Sequence, residues 1–459
     1  MKGSTVYVLT LTAAFLLSAP HPATAIDMDI NGGLQGNSDY STSLMWKDLI
    51  KHARDWKPCT YESNGWTGGS ETAILELDEN NYPTSLPTNP GAPGNWRWRS
   101  IMLVDIWEPA VPLGTYILLF DGTGEVRLEW QYEDTFVGNG GTNRFEIQIN
   151  EVDPFNTTTT NWLRSPRSRG FVISIMRSDP ADPVRNLKFI IPDENGETSY
   201  VGTEDAQPFN PVFLRELLPF KALRFMDLCH ANSNMDSLWS ERPGKKDLFM
   251  GKAIPYFYPD LTEAKHNRRR EVAWEYMIEL ANIVRKDIWI CLPTLSNEDY
   301  WRNLAQLFED CLRPELNVYL EFGNETWNGL FVGYQNCITL NHTIGLDKSI
   351  KISSYQTRRI AKVWEEVFTD DSRLRPVVSG QKNNPWVLQQ RTDALLDPAI
   401  NPDNWRPYAL SVTGYFSQHI LQEDHDEYAD AKAQADRLGV ELIAYEGGMG
   451  AGISPALYD

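Results

Sequence analysis

Six short, almost wholly apolar runs recur between about residue 209 and the end of the chain, starting near residues 222, 288, 318, 375, 409 and 440, with amphipathic stretches between them. Runs that are apolar on both faces belong in a sheet covered on both sides, and a helix between consecutive strands makes them parallel. The runs read as Ala222–Leu228, Ile288–Leu292, Val318–Phe322, Arg375–Ser379, Ala409–Thr413 and Val440–Tyr445. Between them, Arg270–Val284 carries Val272, Tyr276, Met277, Leu280 and Ile283 at helical spacing. Ser296 reads as the N-cap of a second helix, with Asp299 at the capping-box position. Ile350–Phe368 and Ala429–Leu438 read as two more, the last stopped by Gly439. Repeated units of this kind predict an α/β fold, a (β/α)8 TIM barrel with its helices outside.

The first two hundred residues read differently. Asp27–Gly33 is strand-like, and Leu44, Trp46, Leu49, Ile50 and Ala53 fall at helical spacing, which predicts a first βα unit. From about Trp66 to Thr203, alternating runs such as Tyr116–Phe120, Val126–Tyr132, Phe145–Ile149 and Phe171–Met176 are separated by turn clusters, among them 121–124 and 138–141. That texture predicts an antiparallel β-sandwich. The expected organisation is a signal peptide over 1–25, the first βα unit over 26–60, the sandwich over 61–205 as an insertion, and the rest of the barrel over 206–459. The alternative puts strand 1 at Asn186–Ile191 and makes the sandwich a separate N-terminal domain. Both count seven strands, and the chain ends at Asp459 soon after Glu446, so the barrel is expected to be cut short before strand 8.

Lys2, the apolar stretch Val6–Leu17 and Ala23-Thr24-Ala25 have the pattern of a secretory signal cleaved after Ala25, and the chain is expected to be secreted. The five cysteines, Cys59, Cys229, Cys291, Cys311 and Cys337, are odd in number and lack zinc spacing. Cys229 and Cys291 lie in apolar runs and read as small buried hydrophobes. Seven histidines without an HExxH pair give no metal site, and no cofactor is expected. A net charge of −20 argues against nucleic acid or an anionic membrane as partner; it leaves the oligomeric state open.

Two of the apolar runs end in a carboxylate. Val318-Tyr-Leu-Glu-Phe-Gly-Asn324-Glu325-Thr-Trp327-Asn328 runs from strand straight into Asn-Glu, and Leu442-Ile-Ala-Tyr-Glu446-Gly-Gly ends in Glu followed by glycines that would let a substrate approach the backbone. The C-terminal ends of barrel strands are where catalytic groups sit. Cleaving a glycosidic bond takes two carboxyl groups, one giving a proton to the leaving oxygen and one attacking the anomeric carbon or activating water. Glu325 and Glu446 on strands 4 and 7 match that need. Sixteen tryptophans offer flat faces on which sugars stack, Trp327 and Trp386 being the candidates nearest the carboxylates. His230, Asn232 and Asn234 follow the strand at 222 and are candidates for the cleft wall.

On these residues the chain resembles clan A of the glycoside hydrolases, the retaining (β/α)8 enzymes, over about residues 209–450. The resemblance implies Glu325 as acid/base and Glu446 as nucleophile. It implies that Asn324 bonds the sugar 2-hydroxyl, that Arg224 keeps the nucleophile ionised and that Tyr415 hydrogen-bonds it. Asn31-Gly-Gly, Arg54-Asp-Trp56, Arg224-Phe-Met-Asp227 and Ala444-Tyr-Glu446-Gly-Gly are similar to a group of uncharacterised secreted bacterial cellulase-like proteins. Where many clan members carry His, near the end of strand 3 or ahead of the strand 6 tyrosine, this chain has Thr294 and Gly414. The expected substrate is a β-linked polysaccharide or oligosaccharide. Two rival readings stand beside it. One is a non-catalytic carbohydrate-binding protein in which Trp96 and Trp98 of the sandwich form the aromatic strip; the other is an adhesion protein. From residues alone, Arg224 fits an ion pair with Asp227 as well, and Tyr415 a plain core aromatic.

Overall fold

A computed structural model describes residues 31–34, 37, 41, 43–54, 56–60, 77–78, 80, 82–87, 96–106, 111–129, 134–137, 143–149, 169–247, 271–416 and 422–449. The signal peptide, the turn at 138–141 and residues 27–30 of the first strand lie outside them. In chain order the strands are β1 (Asn31–Gly33), β2 (Lys57–Thr60), β3 (Trp96–Ile106), β4 (Gly114–Asp121), β5 (Gly124–Glu129), β6 (Asp134–Val137), β7 (Asn143–Ile149), β8 (Arg169–Ser178) and β9 (Arg185–Ile190), then β10 (Ala222–Arg224), β11 (Asp287–Leu292), β12 (Val318–Phe322), β13 (Leu374–Ser379), β14 (Ala409–Phe416) and β15 (Glu441–Met449). The helices are α1 (Pro211–Glu216), α2 (Trp274–Val284), α3 (Glu298–Cys311), α4 (Val332–Ile344), α5 (Ile352–Val367), α6 (Pro385–Leu396) and α7 (Gln422–Leu438).

The parallel strands form one seven-stranded sheet in the order β1-β10-β11-β12-β13-β14-β15. Each strand after β10 follows its predecessor through at least one helix, which is why neighbours in sequence are neighbours in space. β1 and β15 are the sheet's edges, and no eighth strand joins them among the described residues. The eight-stranded expectation is therefore met by an open parallel sheet of seven strands. The helix-facing side carries a large core in which Ile288, Ile290, Leu292, Val318 and Leu320 meet Trp274, Trp301, Phe308 and Trp364.

The sequence between β1 and β10 holds two antiparallel sheets, β2-β3-β8-β5-β6 and β7-β4-β9. They face one another across a single core in which Trp98, Phe171 and Ile173 meet Tyr116, Leu118 and Phe189. The strand at Asn186–Ile191, weighed as a barrel strand, is β9 and pairs antiparallel with β4. Trp98 is fully buried here and its indole N–H donates to the Ser85 carbonyl at 2.6 Å, so it belongs to the core and not to an exposed aromatic strip.

The predicted helix over Leu44–Ala53 is not formed; only a 3₁₀ turn, Leu49–His52, is present. Its first half is spent on other backbone: Trp46 and Asp48 bridge to Phe209 and Ile190, and the Lys47 N–H and C=O bond Pro208 and Ile191. The Asp48 carboxylate caps the turn at Ile50 and also accepts the Phe189 N–H. The apolar spacing that mimicked one helical face serves two cores, Met45 and Trp46 packing with the barrel helices and Leu44, Leu49 and Ile50 with the antiparallel sheets. A second correction concerns α3: Asn297, not Ser296, is the N-cap, its side chain accepting the Tyr300 N–H, while Ser296 bonds the Pro293 carbonyl and the Trp301 indole.

Candidate active site

The strands deliver alternate side chains to the face of the parallel sheet away from the helices, where Trp289, Val377 and Tyr445 cluster with Tyr319, Trp327 and Ile443. A cleft of about 600 Å³ opens above this cluster, lined by Glu325, Trp327, Lys382, Thr413, Tyr415, Glu427 and Tyr445 among others.

Glu325 follows the end of β12 through a kink. Gly323 has φ +64° and a Cβ there would meet the Thr294 methyl at 2.6 Å, so only glycine fits the turn. Glu325 itself has φ +40°, a strained position for a side-chain-bearing residue. Its carboxylate is held by two donors, the Asn328 amide at 3.0 Å and the Tyr445 hydroxyl at 2.8 Å.

Glu446 reaches the same place from β15. Its Oε1 accepts the Tyr415 hydroxyl at 3.1 Å, and its Oε2 lies 3.5 Å from Arg224 Nη1. Adjacent residues on a regular strand point to opposite faces, yet Tyr445 and Glu446 both serve this site. The register explains it: Val412 pairs with Ala444 and Thr413 with Glu446, leaving Tyr445 as the extra residue of a β-bulge that re-aims the chain. The glycines after Glu446 have a structural duty that differs from the expected one. A Cβ on Gly447 would stand 2.9 Å from the Gly414 backbone, so the close approach is between β14 and β15.

Arg224 is 3% exposed and lies at the centre of the network. Its Nη2 donates to Glu321 Oε2 and Asn324 Oδ1, both at 2.9 Å, and its guanidinium sits 5.0 Å from the Tyr445 ring. Asn324 passes the chain of bonds outward, donating to Asn232 at 2.8 Å. The tight ion pair of Arg224 is thus with Glu321, neither with Asp227 nor with Glu446. Burial raises the Glu446 carboxyl above its ordinary range; Arg224 and the Tyr415 hydroxyl oppose this, and the charges of Glu325 and Glu321 add to it. The expectation that Arg224 would depress Glu446 fails because one guanidinium serves two carboxylates and is closer to the drier one. That Glu325 figures among these charges, and among those acting on Tyr415, brings the two strand-end carboxylates into one electrostatic site.

Glu321, Tyr445, Ser379 and Arg391 were missed by sequence reasoning. Glu321 is buried and also accepts the Trp289 indole N–H at 3.0 Å and the Ser379 hydroxyl. A charged residue in mid-strand, four positions before Glu325 and so on the same face, is a signal that finds it. Cys291 is no inert hydrophobe, since its Sγ lies 3.4 Å from that carboxylate, and Cys229 sits in a turn rather than a strand. Arg391 bonds the Ser379 carbonyl and the Thr326 hydroxyl, and its guanidinium lies 4.9 Å from the Trp327 ring; burial pulls it down to about 10. Trp386 is 47% exposed on the first turn of α6 and does not line the cleft. Among the described residues no group of three or more His, Cys, Asp or Glu is arranged to hold a metal ion, and no helix is long and apolar enough to cross a membrane.

No family model and no curated protein matches the sequence. Among solved structures the chain is similar to the N-terminal modules of endo-1,4-beta-D-xylanase 10B from Clostridium thermocellum, complexed with xylohexaose, at 10% identity over 93% of this chain and 83% of that one, with a TM-score of 0.35. It is similar to xylanase 10C from Cellvibrio japonicus in complex with xylopentaose at 8% identity over 88% and 80%, with a TM-score of 0.31. It is also similar to a Bacteroides uniformis beta-glucuronidase 2 at 9% identity over 83% and 42%, with a TM-score of 0.25.

Proposed function

We propose that this chain is a secreted retaining glycoside hydrolase that cleaves a β-linked polysaccharide or oligosaccharide, with Glu325 as acid/base and Glu446 as nucleophile. The observation that carries the reading is the pair of glutamates at the C-terminal ends of β12 and β15, each held by a tyrosine hydroxyl beside one open cleft. Double displacement has Glu325 give its proton to the leaving oxygen while Glu446 attacks the anomeric carbon; Glu325 then takes a proton from water, which releases the sugar. Tyr445 suits an acid/base that changes state, because a phenol donates to a carboxylate and accepts from a carboxylic acid. Tyr415 keeps a donor on the nucleophile, and Trp327 offers a ring face at the edge of the cleft.

The test is release of reducing sugar from a panel of β-glucans, mannans and xylans by the parent, Glu325→Ala and Glu446→Ala. Loss of a positioned acid or nucleophile lowers turnover by at least about 10²–10⁴-fold. Proton NMR of the first product gives the anomer, and retention requires the two carboxyl groups to work at about 5–5.5 Å. An inverted product would overturn the assignment of Glu446. Glycan binding without turnover in the parent, surviving both changes, would favour the non-catalytic carbohydrate-binding reading.

A further inference from the structure

A cavity of about 550 Å³ lies apart from the cleft, where the 3₁₀ turn, β4, β7, β9 and α2 come together, and it shares no lining residue with the cleft. That volume is in the range of about 300–1,000 Å³ that small-molecule sites occupy. Four lysines converge on it, Lys51, Lys188, Lys245 and Lys246, in a chain whose net charge is −20.

Two of the four are already matched. Lys188 Nζ lies 2.8 Å from Glu204 and 2.6 Å from Asp205, and Lys245 Nζ lies 2.8 Å from Glu279. Lys51 and Lys246 make no ion pair among the described residues. The Lys51 ammonium sits instead 5.2 Å from the centre of the Tyr276 ring, and Lys245 approaches that ring at 4.6 Å. Burial lowers Lys51, outweighing the more distant charges of Asp48 and Asp205. An ammonium taken from water with only a ring face for company gains strongly from an oxyanion that bonds it directly. The remaining wall suits a sugar: Asp121 and Asn186, already bonded to each other at 2.7 Å, face the cavity with Asn143, and Tyr82 adds an aromatic surface.

We propose that this cavity is a second carbohydrate site, one that takes an acidic oligosaccharide whose uronate carboxylate is met by Lys51 and Lys246. It stands on residues separate from the cleft and holds whether or not the chain hydrolyses glycans. In this reading the protein grips charged residues of a heteropolysaccharide at a distance from the cleft.

The test is isothermal titration of the full chain carrying Glu325→Gln, with trigalacturonic acid, neutral cellotriose and sodium sulfate as probes. The expected result is binding of trigalacturonic acid that weakens at least tenfold in both Lys51→Gln and Lys246→Gln, with cellotriose indifferent to either change. Lys246 is exposed, so Lys246→Gln leaves the fold intact by circular dichroism and leaves any hydrolysis of neutral glycans at the parent rate. Trigalacturonic acid binding that is absent, or unaffected by both lysine changes, overturns the proposal. Sulfate that binds as tightly as trigalacturonic acid and displaces it also overturns it, leaving a site for anions alone.

Discussion

Replacing Arg224 with methionine removes one partner of a dry ion pair and leaves the other in place. Arg224 and Glu321 have side chains 3% and 4% exposed and meet at 2.9 Å. Stranding a buried charge in this way costs about 3–5 kcal/mol, whereas removing both charges together costs far less. The neutral donors left on Glu321, from Trp289, Cys291 and Ser379, set the expectation near the lower figure at neutral pH. With a urea dependence near 3 kcal/mol/M, a loss of about 4 kcal/mol moves the midpoint down by more than about 1 M. In the variant the stranded carboxyl is expected to hold its proton to higher pH than in the unfolded chain. The variant's stability therefore falls as pH rises above the ordinary carboxylate range, and its deficit is smallest near pH 4. Urea unfolding at pH 5 and pH 7.5 of the parent, Arg224→Met, Glu321→Leu and the double variant measures each term. The double variant is expected to recover most of what Arg224→Met loses. A single variant within about 1 kcal/mol of the parent, or a double variant that merely adds the two losses, would refute the reasoning.

Tyr415→Phe removes a donor that opposes the rise of Glu446, so on the proposed mechanism the acidic limb of kcat/KM moves upward by about one pH unit, the worth of one hydrogen bond to a charged group. Glu271, 1% exposed, is pushed well above the carboxylate range by burial and then by Asp236; a carboxyl raised in the folded state makes stability fall as pH climbs from the ordinary value toward the raised one. Thermal unfolding between pH 4.5 and 8 should therefore show a downward slope that Glu271→Gln flattens. Gly447→Ala forces β15 away from the Gly414 backbone and is expected to cost about 1–3 kcal/mol and to lower turnover by displacing Glu446. Gly244→Ala, whose added methyl meets nothing within 4 Å, serves as the neutral control in the same melt.

Much of the parallel sheet could be read from the chain because its determinants are local. Val318–Phe322 was bounded to the residue, and the strands at 288, 375 and 409 to within one residue at their starts, since an apolar run flanked by turn residues carries that information itself. The run at 222 was read too long: only Ala222–Arg224 is strand, and Phe225–Leu228 continues as a turn whose Phe225 N–H still reaches the Trp289 carbonyl. Hydrophobicity alone does not separate a strand from a buried turn.

What the sequence determined by itself is the alternation of strand and helix and the two glutamates that end β12 and β15, because chemical identity and period are both written in neighbouring residues. The tertiary structure alone decided the rest of the site. It paired Arg224 with Glu321, 97 positions away, turned Tyr445 onto Glu325 through a bulge that exists only against β14, and spent the apolar spacing of Leu44–Ala53 on two cores in place of one helix. Each of those choices depends on which distant backbone or charge arrives to compete for a group. No window of sequence contains that competition.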